Sequence, residues 1–164
     1  MRYSIIRKLD ISNGPYIGVS IFLQGCLFHC ENCFNKVAWS LDGGKEFTED
    51  VRKEFLELVK GVKRVSFLGG EPLLQADELY YLIKEIKDMY PEKQIWLWTG
   101  YYLSENLTES QRNVIDLCDY IVDGRYIDSL KDDKLYLRGS SNQTIWKHDK
   151  VAKKFIEDTE LMNR

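Results

Sequence analysis

Three of the four cysteines in this chain fall in one short stretch, Gln24 to Asn35, which reads QGCLFHCENCFN and spaces Cys26, Cys30 and Cys33 as Cys-x3-Cys-x2-Cys. Thiols this close in sequence do not make the ends of three distant disulfides. They can converge on one soft metal centre, because thiolates select zinc, Cu(I) or iron-sulfur clusters. A 4Fe-4S cubane has four irons, each taking a ligand from outside the cluster, normally a cysteine. This loop provides three. The remaining iron would be open to a small molecule, by the logic that keeps a position open in a catalytic zinc site.

Two other readings of the same cysteines stand beside this one. Zinc could take the three thiols with His29 or a remote group, although His29 is next to Cys30 and its ring would have to fold back tightly; structural zinc usually takes two separated ligand pairs. A disulfide that leaves one odd thiol needs an oxidising compartment. Spacing alone leaves all three open, iron-sulfur first.

A second motif narrows the field. Val62 to Pro72 reads VKRVSFLGGEP, an apolar run that breaks into two glycines, a glutamate and a proline. Such a run reads as a buried strand entering a tight loop. Glycines at a strand's C-terminal end let backbone approach a ligand, and that end is where ligands bind in parallel α/β sheets. Alone, GGEP reads equally as an ordinary turn.

The remaining pattern alternates strands and helices. Tyr3 to Leu9 and Tyr16 to Leu23 read as strands around an Asn13-Gly14-Pro15 turn, and Gln94 to Trp98 and Tyr120 to Val122 as two more, with Leu135 to Leu137 a further candidate. Thr48 caps a helix with Val51, Phe55, Leu58 and Val59 on one face, which Gly61 stops. Asp77 opens a second helix that ends at Pro91, and Thr108 with Gln111 makes a capping box for a third. Lys147 to Arg164 reads as a terminal helix, with His148 solvent-exposed. Trp96 and Trp98 share a face as packing residues, and Cys118 reads as a small buried hydrophobe. Thr99 places a hydroxyl where a strand stops. Asp123 could accept from a ribose or cap backbone amides, and Arg138 to Gln143 is a polar loop.

This order argues for one domain, residues 1–164, of α/β class with a mostly parallel sheet. A closed eight-unit barrel takes about 250 residues, so a chain of 164 can form only part of one. A net charge of −3, with 44% hydrophobic and 30% charged residues, gives no basic footprint for nucleic acid. No apolar run approaches a membrane span, and there is no basic-then-apolar leader, so a cytoplasmic location is expected.

The chain resembles the radical S-adenosylmethionine (SAM) enzymes and, within them, the activating proteins of anaerobic ribonucleoside-triphosphate reductases. The resemblance runs through QGC with Cys30, Cys33 and Asn35, then Gly69-Gly70-Glu71-Pro72, Thr99-Gly100-Tyr101, Val122-Asp123-Gly124 and Arg138-Gly139-Ser140-Ser141-Asn142-Gln143. Two positions depart from it. Gly14-Pro15-Tyr16-Ile17-Gly18 carries no arginine, and Asn32 stands where an aromatic commonly precedes the last cysteine.

The resemblance implies a partial, open (βα) barrel of the radical SAM type. Cys26, Cys30 and Cys33 would hold three irons of a 4Fe-4S cluster, and the amino and carboxylate groups of SAM would take the fourth. Gly69 and Gly70 would contact the SAM amino group through backbone, with Glu71 anchoring their loop, and Thr99 would hold the methionine part. Contact with the adenine would fall to backbone around Asn32 and Cys33 or to Phe34. No catalytic side chain is implied beyond cluster and cofactor. An electron from a flavodoxin-type protein would cleave SAM to methionine and a 5'-deoxyadenosyl radical, which would take a hydrogen from a glycine of the large reductase subunit. The alternatives are a radical SAM enzyme acting on a small molecule, such as a deazaguanine synthase, and a structural zinc-binding interaction module.

Overall fold

The computed structural model describes residues 1–164. Eight strands, β1 (Arg2–Asp10), β2 (Gly18–Leu23), β3 (Lys45–Glu46), β4 (Arg64–Gly69), β5 (Gln94–Thr99), β6 (Tyr120–Asp123), β7 (Thr144–Asp149) and β8 (Lys154–Glu157), form one sheet in the order β3-β1-β2-β4-β5-β6-β7-β8. The sheet is mixed and open, not mostly parallel as expected. β2, β4, β5 and β6 run parallel, while β1 and β3 at one edge and β7 and β8 at the other are antiparallel. The reason is connection length. Parallel neighbours need a crossover of a dozen or more residues, and the turns from β1 to β2 and from β7 to β8 are too short for one; the longer loop from Gly124 to Gln143 holds only a single 3-10 turn and returns β7 antiparallel to β6.

The crossovers are α1 (Glu49–Lys60), α2 (Ala76–Met89) and α3 (Glu109–Leu117). Thr48 accepts from the Val51 amide at the start of α1, and the Thr108–Gln111 capping box is present at the start of α3. All three helices cover one face of the sheet. Alternate strand residues point there, Val19, Ile21 and Leu23 from β2, Val65 and Phe67 from β4, Ile95 and Leu97 from β5. They meet Phe55, Val59, Leu79, Ile83, Ile86 and Val114, all fully buried. Each such side chain contributes about 1.5–3 kcal/mol by leaving water. Cys118 joins this core.

The opposite face carries Trp96, Val122 and Ile145, with Trp98 packed against them. Trp96 and Trp98 do share a face and stack at 5.6 Å, and Trp96 also stacks on Tyr120 at 4.3 Å. Leu161, on the one-turn helix α4 (Thr159–Met162), covers the same cluster.

The C-terminal segment differs from the expected helix. It forms the second half of β7, then β8, then α4. The Asp149 carboxylate accepts from the amides of Val151 and Ala152 at 3.0 Å each, an Asx turn that reverses the chain so β8 can pair with β7. His148 is half-buried instead of exposed: its ring stacks on Phe155 at 4.5 Å and its Nδ1 lies 3.0 Å from the Cys118 carbonyl oxygen. Leu135 to Leu137 is a turn, not a strand, with Leu137 at φ 59° and its carbonyl accepting from the Trp98 indole at 3.0 Å.

The Asn13 to Tyr16 turn, which carries no arginine of its own, is held by a distant one. Arg64, fully buried at the start of β4, donates to the carbonyls of Asp10 at 2.6 Å, Asn13 at 2.6 Å and Pro15 at 2.9 Å, and its guanidinium lies 3.6 Å from the Asp10 carboxylate.

Candidate metal centre

The cysteine loop begins where β2 ends, and its base is stitched shut. Gln24, buried, donates through Nε2 to the carbonyls of Val37 at 3.0 Å and Ser40 at 2.8 Å, while the Gly25 amide donates to Ala38 at 2.6 Å and the Cys26 amide to Trp39 at 3.2 Å. Between these ties the backbone turns left-handed twice, at His29 (φ 49°) and Asn32 (φ 56°), each one residue before a cysteine. Asn and His tolerate that conformation better than most side chains, whereas bulky residues resist it. Asn32 therefore answers a backbone need at a position where an aromatic was expected.

The loop faces the C-terminal ends of β4, β5 and β6 across a cavity of about 400 Å³. Cys26, Cys30 and Cys33 all line it, each free and half-buried. Phe34, Gly69, Gly70, Glu71 and Thr99 line the same cavity. Asn32 does not. Its side-chain amide donates to the Asp128 carboxylate at 3.0 Å, outside the cavity.

Close approach of backbone explains the paired glycines. A Cβ on Gly69, which has φ 119°, would lie 2.5 Å from the Leu23 nitrogen, and one on Gly70 would strike the Gly25 carbonyl. The Gly70 amide donates to the Leu23 carbonyl at 2.9 Å and the Glu71 amide to Gly25 at 2.7 Å, so the loop after β4 is laid directly against the start of the cysteine loop. Glu71 is buried. Burial pushes its carboxyl up to about 7, against the pull of the Gly100 and Leu73 amides and the Thr99 hydroxyl. The Thr99 hydroxyl donates to Glu71 and accepts from the Tyr101 amide at 3.1 Å. Asp123 accepts from the Leu103 amide at 2.8 Å and lies outside the cavity, which is the backbone-capping arrangement.

Burial pushes Cys26 up, opposed by the amides of Phe28 and His29, and burial pushes Cys30 up with a further push from Cys33. Neighbouring thiolates disfavour one another's charge, and a positively charged metal core would offset that. The His29 ring lies flat on Trp39 at 4.4 Å. That stacking counts against a zinc site completed by His29. The Asn35 amide approaches Cys33 Sγ at 3.5 Å, the kind of amide-to-sulfur contact that tunes iron-sulfur centres.

A family model described as a 4Fe-4S single cluster domain matches residues 12–146. The anaerobic ribonucleoside-triphosphate reductase-activating protein of Salmonella typhimurium is 36% identical over 151 residues, covering 88% of this chain and 97% of its own. The protein of the same description from enterobacteria phage T4 is 37% identical over 160 residues, covering 91% of this chain and 100% of its own. That from Haemophilus influenzae is 33% identical over 151 residues, covering 88% and 97%. The chain belongs to the family of anaerobic ribonucleoside-triphosphate reductase-activating proteins. It carries that family's 4Fe-4S domain, and three thiols in one cavity fit a cluster with one iron left free of protein.

In this activating protein the fourth cysteine is no candidate ligand. Cys118 follows α3 at the N-terminal end of β6, whereas the cavity lies beyond the C-terminal end of that strand. It is fully buried, its thiol donates to the Val114 carbonyl at 3.3 Å, and burial holds its pKa far above the usual thiol range.

Among the cavity residues that the sequence did not single out are Phe28 and Arg125. Phe28 packs edge-on against Tyr101 at 4.9 Å and directly over Gly100, where a Cβ would come within 2.6 Å of its ring. The Arg125 guanidinium lies over the other side of the site, 4.5 Å from the Phe28 ring centroid. An apolar residue inside a polar cysteine loop, and a cation just past the Asp123-Gly124 strand end, were the available signals. Neither has meaning until the fold brings the two loops together.

Proposed function

We propose that this protein is an activase that cleaves SAM reductively on a 4Fe-4S cluster held by Cys26, Cys30 and Cys33, and so generates a glycyl radical on the large subunit of an anaerobic ribonucleoside-triphosphate reductase. The observation that carries the reading is the cavity itself, where three cysteines and no fourth face the Gly69-Gly70-Glu71 loop and Thr99. When bound, the cluster and SAM supply an electron and a carbon-centred radical that takes a hydrogen atom from a glycine α-carbon of the partner.

The chain's own residues would bind and orient. An ammonium group is a donor and needs carbonyl oxygens. The Gly70 amide is already bonded to Leu23, so contact with the SAM amino group falls to the carbonyls of Gly69 and Gly70. The Glu71 carboxylate, bonded to the Thr99 hydroxyl and the Leu73 and Gly100 amides, would anchor the loop that carries them, and Thr99 would hold the methionine part. Phe34, 85% exposed at the rim, is the side chain available to an adenine, with the backbone of Asn32 and Cys33 beside it.

In this reading residues 1–164 act as one radical SAM domain, its open sheet a partial (βα) barrel whose uncovered side admits a loop of the partner. A flavodoxin-type protein is the electron donor, and the work is cytoplasmic; no helix is long and apolar enough to cross a membrane. Identity to activating proteins along nearly the whole chain counts against the small-molecule alternative. The test is anaerobic mixing of iron-loaded protein, SAM, reductant and the large reductase subunit, followed by electron paramagnetic resonance (EPR). A glycyl doublet on the reductase is expected. SAM cleavage with no radical on the partner would overturn the reading.

A further inference from the structure

A cluster bound by three thiolates is an anion. A 4Fe-4S core of charge +2 with three thiolates carries −1, and one electron takes it to −2. Any fixed charge nearby stabilises one of these states over the other, and net charge around the cluster is a main determinant of its potential. Two guanidiniums line the cavity: that of Arg7 lies over Phe22 of β2, and that of Arg125 is the one seated on the cysteine loop, over Phe28. It is fixed from two sides. The Phe28 ring lies under it, and Glu105 takes two hydrogen bonds from it, at 2.7 and 3.2 Å. Tyr102 adds a second aromatic face at 5.7 Å. Glu105 itself does not line the cavity, so of the pair the cation is the member turned toward the thiols.

Phe28 makes this contact mechanical as well as electrical. It sits midway between Cys26 and Cys30 in the chain, pressed on Gly100 after β5 and on Arg125 after β6. Holding one ring between two loops fixes that half of the cysteine loop. A guanidinium on an aromatic face contributes about 0.5–1 kcal/mol when exposed and more when desolvated. It also stays charged at every accessible pH.

We propose that Arg125 is a positioning residue for the metal centre: seated on Phe28, it holds the Cys26–Cys30 segment and raises the reduction potential of the cluster, while Glu105 partly offsets its charge. The inference rests on the cluster reading above and adds a role for a residue that binds no iron. It predicts opposite signs for two substitutions in one ion pair. Arg125→Gln removes the cation and leaves Glu105 unopposed, so the potential falls. Glu105→Gln keeps an acceptor for the Tyr102 amide, leaves the cation unopposed, and so raises the potential. Arg125→Lys keeps the charge over the ring and restores a value close to the original. Arg125 and Glu105 are each about one-third exposed, so solvent screens the shifts and added salt shrinks both.

The experiment measures iron and acid-labile sulfide in anaerobically reconstituted protein and the three variants, then the midpoint potential by redox titration followed by EPR. The expected result is a full cluster in each, with Arg125→Gln shifted down, Glu105→Gln shifted up and Arg125→Lys near the starting value. A purely mechanical role would move both Gln variants the same way, or cost both the cluster, and either outcome overturns the inference while leaving the cluster reading intact. Unshifted potentials in loaded variants overturn it too. Failure of the unsubstituted protein to load iron and sulfide overturns both together.

Discussion

The Thr99 hydroxyl donates to the Glu71 carboxylate at 2.9 Å, and the Gly100 amide donates to the same group at 2.6 Å, so the loop after β4 and the end of β5 are fastened by one buried acid. That acid is 1% exposed. It binds no cation in the structure, and its charge is satisfied by an amide on each oxygen plus one hydroxyl.

Stability should therefore depend on pH at this position. Burial raises the carboxyl from 4.5 to about 7 in the folded protein. With a raised folded pKa, the contribution is fully present below about pH 4.5, where both states carry the proton, and is lost as pH rises through about 7. A shift of this size corresponds to about 3 kcal/mol. Urea denaturation across this range should show that slope, and Glu71→Gln should flatten it. The same variant should cost about 1–3 kcal/mol at low pH, because its new amide faces donors on both sides.

Gly100→Ala should damage the metal centre without touching a ligand. The added Cβ would reach within 2.6 Å of the Phe28 ring, and that ring belongs to the cysteine loop. Overpacking of this kind costs about 1–3 kcal/mol. The expected result is a folded protein, by far-ultraviolet circular dichroism, that retains less iron after gel filtration.

Cysteine substitutions should divide cleanly. Cys30→Ser should abolish cluster loading, measured as iron, sulfide and visible absorbance. Cys118→Ser should leave loading unchanged, since a serine hydroxyl can keep the bond to the Val114 carbonyl, and should cost about 1 kcal/mol in stability from burying a more polar group. Equal losses of iron from both would contradict the placement of Cys118.

Arg64→Met should be the most destabilising of these changes. Removing the guanidinium strips partners from the Asp10, Asn13 and Pro15 carbonyls and leaves the buried Asp10 carboxylate with only its uncharged partners, Ser20, Asn13 and the Ser12 amide. Breaking a buried ion pair from one side costs about 3–5 kcal/mol. The loss should appear in urea midpoints, and Arg64→Lys should recover little of it, because one ammonium cannot reach three carbonyls spread along a turn.

Much of the site could be read before any fold was known, because its chemistry is local. Three thiols within eight positions can converge on one centre, and two glycines ending an apolar run can let backbone come close. The helices were legible for a similar reason. Caps such as Thr48 and Thr108 and the apolar stripes of α1 and α2 act within a turn or two of chain. Misreadings gathered where pairing is non-local. The charged, apolar-spotted stretch from Lys147 fits a helix by composition, yet the free edge of β6 captured Thr144–Asp149 as a strand and the Asp149 turn returned β8 to it.

The candidate thiols and the α/β alternation thus lay in the order of residues, since thiol chemistry, capping and periodicity operate over a few positions. Sheet direction at the two edges, the burial that lifts Glu71, the Arg64 clamp on the Asn13 turn and the seat of Arg125 on Phe28 came only with the folded chain. Glu71 and Thr99 are 28 residues apart, Arg64 and Asn13 are 51 apart, and Phe28 and Arg125 are 97 apart. No local pattern encodes which distant partner a buried charge will meet. That is decided when the helices close over one face of the sheet and the loops after its parallel strands are brought to a common end.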